Sequence, residues 1–247
     1  MNKEKIIRYY SEKGRAFEYS QSWEKLVPLG VVQHNNHINF INKIIKEKNI
    51  KNLLEFAIGS ARISKYLNNF KQAYGVDSSK EMLDIAKNEL KRFNMLDKWK
   101  LIQSDIFKFK INKKFDLVIS FRLVWHFKNK DREKFYNKIK SLLANNGYFI
   151  FDAQNYDVEY FYRKKRNLKS PTYDKLWKKN ELINELEKNG FKVVKLYNNI
   201  EYPELQRFLS RTFRFIRLDF IGIILINFLE KFNSKSPMEW IVLCKKS

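Results

Sequence analysis

Residues 53 to 77 constrain this chain more than any other stretch. Leu53-Leu-Glu-Phe-Ala-Ile-Gly-Ser-Ala-Arg62 runs from an apolar strand into a turn of small residues, a helix follows, and Ala73-Tyr-Gly-Val-Asp77 reads as a second strand ending in a carboxylate. A strand, a small-residue turn, a helix and a second strand form the opening unit of a nucleotide-binding α/β sheet, in which small side chains let the backbone approach a ligand. Asp77, at the end of the second strand, is placed to accept hydrogen bonds from ribose hydroxyls. A ribose-containing ligand is the first expectation.

Spacing narrows the ligand. A dinucleotide fingerprint requires small residues at its first, third and sixth positions, so that a helix N-terminus can face a pyrophosphate. Counted from Ala57, the sixth position is Arg62, which argues against a pyrophosphate. What remains is small residues at alternate positions, Ala57, Gly59 and Ala61, preceded by Glu55.

That run resembles motif I of the class I S-adenosylmethionine (SAM) dependent methyltransferases, where an acid precedes three alternating glycines. Two of the three are alanine here, which restricts positive φ and adds a methyl group facing the ligand. Downstream segments match at the family's distances. Asp77 with Ser78 and Met82 looks like the second motif, whose carboxylate holds the ribose and whose next residues flank the adenine. Leu101-Ile-Gln-Ser-Asp105-Ile106-Phe looks like the third, whose acid reaches the adenine amino group. Phe115-Asp-Leu-Val-Ile-Ser-Phe121-Arg-Leu-Val-Trp-His126 looks like the fourth strand and its catalytic-face loop, and Leu142 to Asp152 like the helix, glycine turn and fifth strand. The resemblance covers residues 50 to 155, 178 to 197 and 238 to 245, and it implies SAM as the cofactor.

The rest of the chain reads as α/β alternation. Strands are expected near 52–57, 72–76, 99–103, 115–120, 147–152 and 191–197, with Met238-Glu-Trp-Ile-Val-Leu-Cys244 as a seventh, and helices over 79–93, 130–143 and 180–188. Short βα units argue for a mostly parallel, doubly wound sheet. The resemblance adds the strand order 3-2-1-4-5-7-6 with an antiparallel last strand. One methyltransferase domain over 1–247 is expected: a helical lead-in over 1–50, a cofactor-binding half over 51–155, lid insertions at 156–179 and 202–237, and a final helix and strands at 180–201 and 238–247. Both insertions leave the carboxyl edge of the sheet and are expected to cover the site.

Candidate residues follow from these segments. Tyr19, in a lead-in similar to the family's tyrosine-rich one, is a cofactor contact implied by resemblance, as are Glu55, Ala57, Gly59, Ala61, Asp77, Ser78, Met82, Asp105, Ile106 and Phe121. A base is needed only where the acceptor must lose a proton, and His126 is best placed for it, with a structural histidine as the competing reading. Arg122 is a candidate for an anionic acceptor group, or else an internal ion pair. His34 and His37 lie three apart, but no carboxylate stands at a set distance to complete a metal site, and no metal is expected.

Composition bounds the partners. With 247 residues, 44% hydrophobic and 16% aromatic, the chain can bury a sizeable core. Its single cysteine, Cys244, excludes an internal disulfide and a cysteine metal cluster, and the N-terminus lacks a secretory pattern, so a cytoplasmic location is expected. Lys and Arg number 49 against 27 acids, a formal +22, which attracts polyanions. The lysines are spread over every helix, however, and no RNA-binding module accompanies them.

Within the second insertion, Arg207, Arg211 and Arg214 recur at helical spacing beside Phe208, Thr212 and Phe215, and an apolar run from Phe220 to Leu229 follows. That run is shorter than the about 20 apolar residues that span a bilayer. Three readings stand for residues 204–232: a packed lid, a homodimer interface, or a peripheral membrane element gripping a lipid-linked acceptor. The leading function is methyl transfer to oxygen or nitrogen of a small or lipid-linked metabolite. An RNA methyltransferase and a non-catalytic scaffold of the same fold are the alternatives.

Overall fold

The computed structural model describes residues 14–168, 170 and 173–246, without the side chains of Arg15, Tyr19, Ser22, Trp23 and Glu24. Two helices, α1 (Arg15–Glu24) and α2 (Pro28–Glu47), lead into β1 (Asn52–Phe56) and β2 (Gln72–Asp77). Then come α3 (Lys80–Arg92), β3 (Trp99–Gln103), β4 (Phe115–Ser120), α4 (Asn129–Leu142) and β5 (Leu143–Gln154). The remainder is α5 (Tyr156–Lys165), α6 (Lys179–Lys188), β6 (Phe191–Asn199), the pair α7 (Pro203–Phe215) and α8 (Asp219–Leu229), and β7 (Glu239–Lys246). The strands form one seven-stranded sheet in the order β3-β2-β1-β4-β5-β7-β6. All pairings are parallel except those of β7, which runs antiparallel between β5 and β6, as the resemblance implied.

Alternation along the strands sorts the core into two layers. Leu54, Phe56, Val118, Phe149 and Phe151 face one side and join Phe135, Tyr136 and Ile139 of α4. Leu53, Leu117, Ile119, Ile150 and Ile241 face the other, against Ile41, Ile44 and Ile45 of α2 and Ala86 and Leu90 of α3. Strands covered on both faces read as continuous apolar runs, and this is why the sequence shows them plainly. Helix α3 begins where Ser79 Oγ accepts the Met82 amide at 3.3 Å, with Glu81 in its first turn and Lys91 and Arg92 in its last; cap and charges both favour this direction. Helix α6 is docked on α4 by Arg132, which donates from Nε to Glu185 Oε1 at 2.8 Å and from Nη2 to Oε2 at 2.9 Å.

The second insertion is a helical hairpin laid on α2. Gly222 of α8 lets the helices close, since a Cβ there would stand 2.9 Å from Phe213 Cβ and 3.1 Å from Pro28 Cγ. Beneath the hairpin Glu230 acts as a hub, accepting from Asn36 Nδ2 (2.9 Å), the amides of Ile200 (3.1 Å) and Glu201 (2.8 Å), and Gln206 Nε2 (2.6 Å). Arg207 parts from the helical stripe it forms in sequence with Arg211 and Arg214: it is buried, paired with Glu159 of α5 and stacked 3.6 Å from the Tyr162 ring centroid. It fastens the first insertion to the second, while Arg211 and Arg214 stay exposed.

Candidate functional site

The ligand edge is built at the carboxyl ends of β1 and β2. Three residues of the turn after β1 adopt left-handed backbone, Ala57 (φ 56°), Gly59 (φ 55°) and Ala61 (φ 57°). Glycine takes that conformation without cost, whereas for alanine it costs about 1–2 kcal/mol. The alanines therefore keep a glycine turn against their own preference, a strain of the kind retained at functional sites. Asp77 holds the turn in place: Oδ2 accepts the Gly59 amide at 2.9 Å and Oδ1 accepts the Ser79 amide at 3.0 Å. Its carboxyl is pushed up by burial, which the bonds from the Ser79, Gly59 and Ser78 amides partly offset.

Glu55 sits below the turn, fully enclosed. Burial raises its carboxyl to about 8, against a bond from Ser64 Oγ at 2.5 Å and the charge of Arg62, both of which lower it. Arg62, whose size excluded a pyrophosphate, donates from Nη1 to His34 Nδ1 at 3.1 Å. Burial, followed by the charge of Arg62, lowers His34 to about 3, so it is a neutral acceptor there. Asp105 lies just past β3 and accepts the Phe107 amide at 2.9 Å. Met82 is buried on the inner face of α3, and Ile106 packs against the core layer that contains Phe56. The side chain of Tyr19, and the lead-in before residue 14, lie outside the described residues.

A second group of polar side chains surrounds the carboxyl ends of β4 and β5. Arg122, after β4, has φ 56°, donates its amide to Asp152 Oδ1 at 2.8 Å and lies 5.5 Å from the Trp125 ring centroid. His126 pairs through Nδ1 with Asp174 Oδ1 at 3.0 Å, and Asp174 also takes Arg163 Nη1 at 2.9 Å. Burial raises the Asp174 carboxyl, but bonds from His126 and Ser170 outweigh it and lower it to about 2. On the other sheet face, Phe121 packs on the His37 ring at 4.7 Å between centroids, and His37 Nε2 meets Glu239 Oε1 at 2.6 Å. Asn199 Nδ2 donates to the same oxygen at 2.8 Å.

Two histidine–carboxylate pairs thus flank the end of the sheet, one on each face. Asp152 lies between them, its carboxyl raised by burial and then by the Glu239 charge; Glu239 is held low by His37 against its own burial. Four atoms here are buried without a partner among the described residues: His37 Nδ1, Ser120 Oγ, Trp125 Nε1 and Asp152 Oδ2. The sequence reading placed His126, Arg122 and Phe121 in this region but missed Asp174, Asp152 and the His37–Glu239 pair. A signal existed for Asp152 and Glu239, each a carboxylate abutting an apolar strand run, Phe149-Ile-Phe and Trp240-Ile-Val-Leu. No local signal linked His37 to a partner 202 positions away.

Residues 54–151, about two fifths of the chain, match the protein family described as Methyltransferase domain. No curated protein matches the sequence. Among solved structures, the magnesium protoporphyrin IX methyltransferase from Synechocystis PCC 6803 with bound S-adenosylhomocysteine is similar over all of both chains, at TM-score 0.69 and 14% identity. An S-adenosylmethionine-dependent methyltransferase from Clostridium acetobutylicum ATCC 824 is similar over 99% of this chain and 98% of its own, at TM-score 0.62 and 17% identity. At these identities the likeness shows the fold.

The residues present fit SAM as cofactor. The turn keeps the left-handed backbone of an all-glycine run, Asp77 has acceptor capacity beyond the three amides it holds, and Asp105 stands at the next strand end. Residues 54–151 thus carry a methyltransferase domain, set in the complete seven-stranded fold of the class I S-adenosylmethionine-dependent methyltransferases.

Proposed function

We propose that the enzyme methylates an oxygen or nitrogen of a small or lipid-linked metabolite that enters over the ends of β4 and β5. The observation that carries this reading is the group of four buried, unpartnered polar atoms there. Buried polar groups are normally hydrogen-bonded, and an acceptor with a hydroxyl or amine would meet them. Glu55, Asp77 and Asp105, with the turn at 57–61, would hold the cofactor across β1, β2 and β3. When bound, SAM supplies an electrophilic methyl group on a sulfonium. His126 is positioned by Asp174, whose low-lying carboxylate orients the ring and favours its taking a proton from the acceptor. Arg122 and Phe121 shape the side of the acceptor next to the cofactor, and the first insertion, fastened by Arg163 and Arg207, excludes water.

The test is transfer of labelled methyl from SAM into extracts separated into soluble metabolites, lipids and RNA. Label in the metabolite or lipid fraction is expected, and His126→Ala should lower that rate by about 10²–10⁴-fold with cofactor affinity unchanged. Label confined to RNA at physiological salt would replace this reading with the RNA alternative.

A further inference from the structure

The hairpin of α7 and α8 is inside out. Helix α7 turns Gln206, Arg207 and Ser210 inward, each buried and hydrogen-bonded, Ser210 Oγ accepting the Leu29 amide at 3.1 Å. Outward it shows Phe208 and Phe215, 59% and 88% exposed. Helix α8 buries Gly222 and Ile226 but presents Phe220, Ile224 and Phe228 at every fourth position, 61%, 62% and 53% exposed, and Phe232 continues the row. A surface helix ordinarily buries its apolar stripe, and exposed apolar patches of this kind mark interaction surfaces.

The charges around the row select the partner. Arg211, Arg214, Arg217, Lys231 and Lys235 are exposed on the same hairpin, and the nearby Asp219 is taken by Arg214. A two-fold dimer through this face would set the same cations against one another, because an isologous interface is self-complementary. Aromatic and aliphatic side chains interleaved with Arg and Lys fit an anionic lipid surface, where the apolar row enters the headgroup boundary and the cations meet phosphates. Among the described residues no helix is long and apolar enough to cross a membrane, so the element would lie in the interface plane. The chain's +22 adds long-range attraction to the same surface.

From this we infer that residues 204–232 are a docking element for anionic bilayers. The hairpin leaves β6 at Asn199 and returns at Glu239, next to His37, so docking brings the acceptor edge to the bilayer. That this delivers an amphiphilic acceptor rests on the function proposed above; docking itself needs no turnover.

Co-sedimentation of the full chain with vesicles tests it, comparing phosphatidylcholine alone with phosphatidylcholine containing about one third phosphatidylglycerol, while light scattering follows the oligomeric state. Binding to the anionic vesicles at low salt and little to the neutral ones is expected. Arg211→Glu, Arg214→Glu and Arg217→Glu together should weaken it by about a hundredfold, each surface charge contributing about fivefold. Phe215→Ser, Phe220→Ser and Phe228→Ser together change side chains that are more than half exposed and should remove the binding that survives at physiological salt. Absence of wild-type binding to anionic vesicles at low salt would overturn the inference, whatever the variants do. So would wild-type binding that both variants retain, or a wild-type dimer that the serine variant separates. Methyl transfer to a soluble acceptor without vesicles, measured separately, keeps a failure here distinct from a failure of the proposed reaction.

Discussion

Glu55 gives the most informative perturbation, because its carboxyl is enclosed under the turn at 57–61 and burial raises it from 4.5 to about 8. In the unfolded chain it ionises near 4.5, while in the folded protein it stays protonated. Its contribution to stability is therefore complete below pH 4.5 and is lost progressively as pH rises to about 8. At about 1.4 kcal/mol for each pH unit between those values, the full loss is about 5 kcal/mol. Glu55→Gln keeps the shape and a hydrogen-bond acceptor for Ser64 but cannot ionise. The stability of Glu55→Gln relative to wild type should accordingly improve by about 3 kcal/mol between pH 5 and pH 7.5, measured by urea unfolding across that range. A uniform offset from lost packing does not affect this difference. Parallel profiles for the two proteins would refute the reasoning, since they would mean that Glu55 ionises normally in the fold. The same proton reports on the cofactor. If Glu55 receives the ammonium of SAM, binding below pH 8 should release about one proton in wild type and none in Glu55→Gln, read by calorimetry in buffers of different ionisation enthalpy.

Two further outcomes concern the same edge. Ala57→Gly should stabilise the protein by about 0.5 kcal/mol, the relief of left-handed strain less the greater unfolded-state entropy of glycine; a loss of stability in thermal unfolding would show that its methyl group is a packed contact, as that of Ala61 is in the core. Asp77→Ala leaves the Gly59 and Ser79 amides without their carboxylate and should weaken SAM binding by about 1.5–3 kcal/mol in titration calorimetry. Unchanged affinity would remove Asp77 from the site.

Much of this protein could be read along the chain. The central strands were legible because both sheet faces are covered there, so β1, β4 and the end of β5 are apolar runs of the right length, and α3 was legible because Ser79 caps it and its core residues recur at helical spacing. Asp77 and Asp105 could be placed on one edge because each follows such a run, and parallel strands put their carboxyl ends together. These signals are local. The alanine substitutions were visible too, but whether residues 57 and 61 would hold left-handed backbone was not, since alanine alone prefers otherwise.

Tertiary structure decided what depends on residues far apart in sequence. Helical spacing grouped Arg207 with Arg211 and Arg214, yet only the packing of α5 against α7 buries the first with Glu159 and leaves the others exposed. Hydropathy left Phe220 to Leu229 open between a packed lid, a dimer interface and a membrane element, because an apolar run carries no sign of which face finds a neighbour; α2 offers room for one narrow stripe, through Gly222 and Ile226, and the rest remains outside. His37, Asp152, Asn199 and Glu239 become one buried cluster because β7 inserts between β5 and β6 and α2 lies across them. Periodicity fixes elements and their ends, whereas charge pairing and exposure are set by which surfaces the fold brings together.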